Sequence, residues 1–531
     1  MDRRHFLQKA TLLATGSALG LPLAGCAAEF ELIIPCLGPA AAPTPVPGMT
    51  YIRASEIGCA LDCNLENGRK TITGGPATDD GPRINAAMAG ATAENPITLI
   101  IDGTALISGL FLPAGGYWSI AGLGCGTGFF VKTGTNNDGI HNGGLSAAVP
   151  SDPGPPAPPR GASVSLSNFT LNGNQGNGSN GDSTSKMRQG QNNRLWYFGI
   201  NLINLNDITI ENVVVVNTPT YHIRLSNVGR VAISGCVMQS QGTNTDGLHF
   251  DGPANDITIS DCTFMTGDDS IALNSPEGYS GNIMRVSVDN CTFNSVSLMR
   301  LYTASPTQQC SINSVTINNC KGTLSEAALI VGNEINSDGP SPITDLNIAN
   351  CTLTAPTMFE VGQNFGDITA SNMTFIPVKS DRPCGFIRPS PTYLGAIYGS
   401  SLSFNNCTIS RSADIDAVAV ILHNASELGS IIFDGFAVQD AGSYSPIAAL
   451  LQPDSGSVRQ LIISSLNSSN IAAPVTTKLF TGIGSISGAG VLTTEWEFPD
   501  FVMANEVPYI SASSGLPSIK VEGVVEPYIQ S

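Results

Sequence analysis

Three aspartates in this 531-residue chain stand in two short segments built alike, Asn244-Thr245-Asp246-Gly247-Leu248-His249-Phe250 and Gly267-Asp268-Asp269-Ser270-Ile271-Ala272-Leu273. If the pairs Leu248/Phe250 and Ile271/Leu273 both point inward, Asp246 and Asp269 take the same place in successive strands, with Asp268 beside them. Asp and Gly are also ordinary turn residues, so the shared position carries the argument. Carboxylates brought that close raise at least one pKa. One group can then donate a proton while another, ionised, activates water.

The same alignment runs back to Tyr221-His222-Ile223-Arg224-Leu225 and forward to Met299-Arg300-Leu301-Tyr302. It predicts an outward column of Arg224, His249, Ala272 and Arg300 beside the carboxylates, a basic stripe able to hold an anionic chain. Tyr302 falls in a further column with Asp251 and Asn274, where a sugar ring could stack. His222 and Asn244 complete the nearby polar set. The plainer readings are a surface or locally satisfied histidine, a solubilising arginine and a packed tyrosine.

The elements that must position these groups come from a repeated phrase: Ile208-Thr-Ile-Glu-Asn-Val, Val231-Ala-Ile-Ser-Gly-Cys, Ile257-Thr-Ile-Ser-Asp-Cys, Val286-Ser-Val-Asp-Asn-Cys, Val315-Thr-Ile-Asn-Asn-Cys, Leu346-Asn-Ile-Ala-Asn-Cys and Ile368-Thr-Ala-Ser-Asn-Met. Each is an alternating strand ending in a turn. Cys236, Cys262, Cys291, Cys320 and Cys351 follow one another at 26, 29, 29 and 31 residues, the length of one solenoid coil. Coils about 4.8 Å apart would stack these sulfurs in an inward column, beside a ladder of Asn212, Asp261, Asn290, Asn319, Asn350 and Asn372. The expectation is an all-β chain wound as a right-handed parallel β-helix. The stacked thiols read as packing rather than as disulfides, while Cys59 with Cys63, and Cys310 with Cys384, lie outside the column as candidate pairs.

Before the coils, residues 79–88 read as a short Asp-capped amphipathic helix with Ile84, Ala87 and Met88 on one face, closing the open end of the solenoid. The coils are expected over residues 50–490 and an irregular cap over 491–531. Arg3-Arg4-His5-Phe6-Leu7-Gln8-Lys9 resembles a twin-arginine export motif, and Leu23-Ala24-Gly25-Cys26 a bacterial lipobox, with a Pro-rich tether over residues 27–49. Together they imply export and lipidation at Cys26. Ala27, where an Asp would mark inner-membrane retention, points to the outer membrane, with periplasmic or extracellular release as the alternative.

Charged residues make up 12% of the chain, with a net charge of −18, which speaks against a nucleic-acid partner. No internal run reaches the roughly 20 apolar residues of a membrane span. The chain is expected to act as a monomer on a polysaccharide, without cofactor or metal.

The segment from Arg194 (RLWYFGINLINLNDITIENVVVVNTPTYHI) through NTDGLHF to GDDSIALNS resembles, over about a hundred residues, the polygalacturonase-type (family 28-like) glycoside hydrolases of the pectin-degrading β-helix superfamily. The resemblance implies that Asp246, Asp268 and Asp269 are the catalytic carboxylates of an inverting hydrolase of α-linked galacturonans. One would protonate the glycosidic oxygen and two would activate water, with acid and base roughly 6.5–9.5 Å apart. The family's G-H-G and R-I-K motifs should fall near Ser297-Leu298-Met299-Arg300 and Ser325-Glu326-Ala327-Ala328-Leu329-Ile330, and neither is present. Arg300 and Glu326 stand as their replacements. A related glycosidase on an acidic or neutral polysaccharide, a lyase on the same fold and a non-catalytic glycan binder all remain open at this level.

Overall fold

The computed structural model describes residues 38–135, 137–143, 156–175, 197–242, 244–303, 310–332, 343–380, 384–390, 397–415, 417–422, 426–447, 449–453, 457–464, 470–471, 483–488 and 509–512. The export motif, Cys26 and most of the span expected as a cap lie outside these residues.

Inward and outward side chains alternate along each repeated phrase, so a strand can bury one face only by stacking on the strand of the next turn. That is what forms. The chain is a right-handed parallel β-helix in which strand pairs with strand in one parallel ladder. One inward column runs Ile223, Leu248, Ile271, Met299, Leu329, Phe359 and Ile387. Another runs Val231, Ile257, Val286, Val315, Leu346, Ile368, Leu402 and Ile431. These side chains are buried, and each fully buried aliphatic contributes about 1.5–3 kcal/mol.

At the turn, Asn212, Asp261, Asn290, Asn319, Asn350 and Asn372 all take φ between 52° and 54°, the left-handed region that short polar side chains tolerate. Asn290 Nδ2 donates to Asp261 Oδ1 at 2.6 Å and Asn372 Nδ2 to Asn350 Oδ1 at 3.1 Å. Asn319 and Asn350 instead reach across to the neighbouring column, to Asp289 and Asn318. Behind the turn, the five cysteines of the column are buried, and most donate Sγ–H to the carbonyl two residues back, as Cys351 does to Ala349 at 2.9 Å. Cys59, Cys63 and Cys310 are buried free thiols, so neither candidate pair forms. Cys125 is disulfide-bonded.

The helix Gly81–Met88 packs Ile84 and Met88 against the strands Thr104–Ile107 and Leu110–Leu112. Its capping differs from expectation. Asp80 stands at the N-cap without a side-chain cap bond; its carboxylate accepts from the amides of Ala60 and Leu61 at 2.7 and 3.0 Å. Asp79 takes the Gly81 amide. The loop preceding the helix offers two amide donors, which outcompete the helix terminus for the buried carboxylate. At the other end, Tyr509–Ala512 pairs in parallel with Ile483–Gly488, so the ladder reaches into the span expected to be irregular. Among the described residues no helix is long and apolar enough to cross a membrane.

Candidate active site

Leu248 pairs with Ile271 and Asp269 with Ser297, so the three aspartates arrive at one edge of the ladder in consecutive turns. Gly247 makes the approach possible: a Cβ there would lie 2.5 Å from the Ser270 carbonyl oxygen. One oxygen from each of Asp246, Asp268 and Asp269 lies within 4.8 Å of the others. This is closer than the roughly 6.5–9.5 Å expected between an acid and a base that flank a water.

Each carboxylate has its own donors. Asp269 accepts from Ser297 Oγ on Oδ1 and from Arg300 Nε on Oδ2, both at 2.6 Å. Asp268 accepts the Asn244 amide at 2.7 Å and the Asp269 amide at 3.1 Å. Asp246 Oδ2 meets His249 Nδ1 at 2.8 Å. Among the described residues, Asp246 Oδ1 has no donor.

Burial pushes Asp246 up to about 6, with His249 opposing the rise. Burial, then the charges of Asp269 and Asp246, push Asp268 well above the usual carboxylate range. Burial works against the charge of Arg300, but Asp269 and Asp268 overcome it and hold the guanidinium ionised beyond its ordinary range.

The expected column is correct in register, since Arg224, His249, Ala272 and Arg300 are successive partners. Its exposure is not as expected. Arg224 and His249 are fully buried, and only Arg300 keeps 26% of its side chain exposed. Arg224 is paired with Asp251 at 2.5 Å, both side chains at 0% exposure, and its guanidinium lies 5.3 Å over the Phe198 ring. It is a buried ion pair rather than part of a substrate stripe. His222 is likewise buried, with Nδ1 on the Asp246 carbonyl at 2.8 Å, and burial lowers its pKa to about 4. It is neutral and structural. Tyr302 shares its column with Asn274 and Asp251 as expected but is 6% exposed, which leaves no ring face for a sugar. Asn244 acts through its backbone amide at a left-handed turn, φ 58°. Glu326 is partly exposed and adds its negative charge near Arg300.

Three contributors lay outside the sequence reading. Ser297 holds Asp269, and the register step from Asp269 into the next turn would have pointed to it. Tyr221 stacks on His249 with ring centroids 3.8 Å apart. Glu360 and Arg388 form a buried pair at 3.0 Å further along the Arg300 column.

Residues 160–298, which carry all three aspartates, match the family model of glycosyl hydrolases family 28. No curated protein matches the chain in sequence. The family 28 exopolygalacturonase of Yersinia enterocolitica has a similar structure, with a TM-score of 0.51 at 12% identity, covering 75% of this chain and 79% of that one. The exopolygalacturonase of Thermotoga maritima gives 0.41 at 12% identity over 80% and 94% of the two chains. A tailspike protein of an E. coli bacteriophage gives 0.48 at 10% identity over 83% and 77%. The Yersinia likeness establishes the shared fold.

Proposed function

We propose that the chain is an exported glycoside hydrolase that cleaves an α-linked, acidic, pectin-like polysaccharide by general acid–base catalysis with inversion. The observation that carries the reading is the division of the three carboxylates. Asp269 is held by Arg300, Asp246 is held by His249, and Asp268 has only backbone donors and a strongly raised pKa. Asp268 is then the acid that protonates the leaving oxygen. Asp246 and Asp269 together activate the water. Partly exposed Arg300 is the cation placed to meet a substrate carboxylate.

The test is incubation of the purified protein with a panel of pectic and other acidic glycans. New reducing ends without the ultraviolet absorbance of an unsaturated uronate, lost in Asp268→Asn, support hydrolysis. That absorbance with Ca²⁺ dependence would mean a lyase, and binding without new ends a glycan-binding protein. Arg300 is the basic residue a lyase could use, but its ion pair with Asp269 holds its proton, which favours hydrolysis. The anomer formed first, read by NMR, tests inversion. Lipid anchorage at Cys26 belongs to the same proposal; Cys26→Ser should move the protein from the membrane fraction to the soluble one.

A further inference from the structure

Behind the three aspartates lies a row of buried charge that the hydrolase reading does not use. Asp246 Oδ2 meets His249 Nδ1 at 2.8 Å, and His249 Nε2 faces Asp251 Oδ1 at 3.3 Å. Asp251 Oδ2 meets Arg224 at 2.5 Å, and Arg224 reaches Asn201, whose amide donates to Asp138 at 2.8 Å. Every side chain in this row is buried.

Both ring nitrogens of His249 therefore face carboxylate oxygens. A neutral imidazole would set a lone pair against one of them, whereas the doubly protonated ring donates Nδ1–H to Asp246 and turns its charge toward Asp251. The ring is also fixed in plane, since Tyr221 stacks on it at an interplanar angle of 6°. The charged and titratable groups around it are Asp246 and Asp251 from its own turn and strand, Arg224 and the neutral His222 from the preceding strand, and Tyr221 on its face. Ala272 is its partner on the following turn, and Asp268, Asp269 and Arg300 lie beyond Asp246. With an imidazolium each of three cations has its own carboxylate: Arg224 with Asp251, His249 with Asp246, Arg300 with Asp269. Asp268 is then left as the carboxyl that carries a proton.

We propose that His249 is a positioning residue, an imidazolium clamped between Asp246 and Asp251 that fixes Asp246 as the water-activating carboxylate and assigns the mobile proton to Asp268. Its Nδ1–H occupies Oδ2 of Asp246 and leaves Oδ1 to take the proton of the attacking water. Asp251 and Arg224 act one step further back, holding the ring in its charged form. The inference rests on the hydrolase reading for its catalytic consequence but not for its physical content.

Two measurements on the full chain test it. The first follows the ¹⁵N shifts of the His249 imidazole, assigned by their loss in His249→Asn, from about pH 5 to about pH 9, either side of the ordinary histidine value near 6.5. Both nitrogens should stay protonated through neutrality, and Asp251→Asn should lower the titration by at least about one unit. The second compares kcat and KM on the glycan that the wild type hydrolyses. His249→Asn should reduce kcat about 10- to 100-fold with KM little changed. Its acid limb should move up by about one pH unit as Asp246 loses its cation. A neutral His249 ring at pH 7, or an acid limb that stays in place, overturns the proposal. A wild type that releases no Asp268-dependent ends would sink the hydrolase reading instead, and the imidazole shifts would still decide the charge of His249.

Discussion

Arg224 and Asp251 sit in consecutive turns and form an ion pair at 2.5 Å with neither side chain exposed. A pair buried this completely contributes little net stability, but removing one partner leaves an uncompensated charge. Arg224→Met should cost about 3–5 kcal/mol in denaturant unfolding. The double variant Arg224→Met, Asp251→Leu should recover most of that. A single variant as stable as the wild type would mean that the pair does not form in solution.

Ser297 supplies one of the two side-chain donors on Asp269. Ser297→Ala should lower kcat about tenfold, the equivalent of about 1.4 kcal/mol. Arg300→Lys should be worse, because the ammonium cannot reproduce the Nε contact at 2.6 Å. Equal and small effects of both would show that Asp269 needs neither donor.

Asp246 and Asp268 are both raised in the folded state, so the sign is opposite to that of a salt-bridged carboxylate. Their favourable contribution is complete below the unfolded value near 3.9 and is lost as pH rises through the folded values, about 6 for Asp246. At neutral pH the site is a cost to the fold. Asp268→Asn should therefore abolish activity and yet raise Tm by about 2–4 °C at pH 7, with less gain at pH 4. His222 runs the other way, since its lowered pKa gives a contribution that is present above the unfolded 6.5 and lost as pH falls through about 4. A lower Tm for Asp268→Asn at pH 7 would count against the strained pair of carboxyls.

Burial pushes the thiols of Cys59 and Cys407 up to about 11 and that of Cys63 to about 12. A thiol reagent at neutral pH should modify none of these three, nor Cys236, Cys262, Cys291, Cys310, Cys320 or Cys351, until the protein unfolds. Rapid labelling of the native protein at Cys236, Cys262, Cys291, Cys320 or Cys351 would contradict the packed column.

The ladder was legible because its two rules are local. The inward pairs Leu248/Phe250 and Ile271/Leu273 mark the period of two, and the Asn-Cys step marks the turn, so register followed from spacing. Depth was not legible. Alternation says which way Arg224 and His249 point but not what lies over them, and here Tyr221 and Phe198 stack with them while Asp251 supplies the counter-charge. Asp251 read as a place for sugar because its partner stands one turn away, where no local pattern shows it. Ser297 also acts from the next turn, but there the register of Asp269 points to it.

Each turn of this stack pairs only with the turns before and after it, so the protein can be edited in whole turns. An extra coil inserted beyond Glu360 would lengthen the molecule by about 4.8 Å and leave the carboxylates where they are. The same coil inserted between Asp251 and Cys262 would part Asp246 from Asp268 and Asp269 and break the Gly247 amide bond to the Asp269 carbonyl. Chain length is therefore free to vary beyond Glu360 and fixed across the turns from Arg224 to Arg300, whose contacts run from one turn to the next.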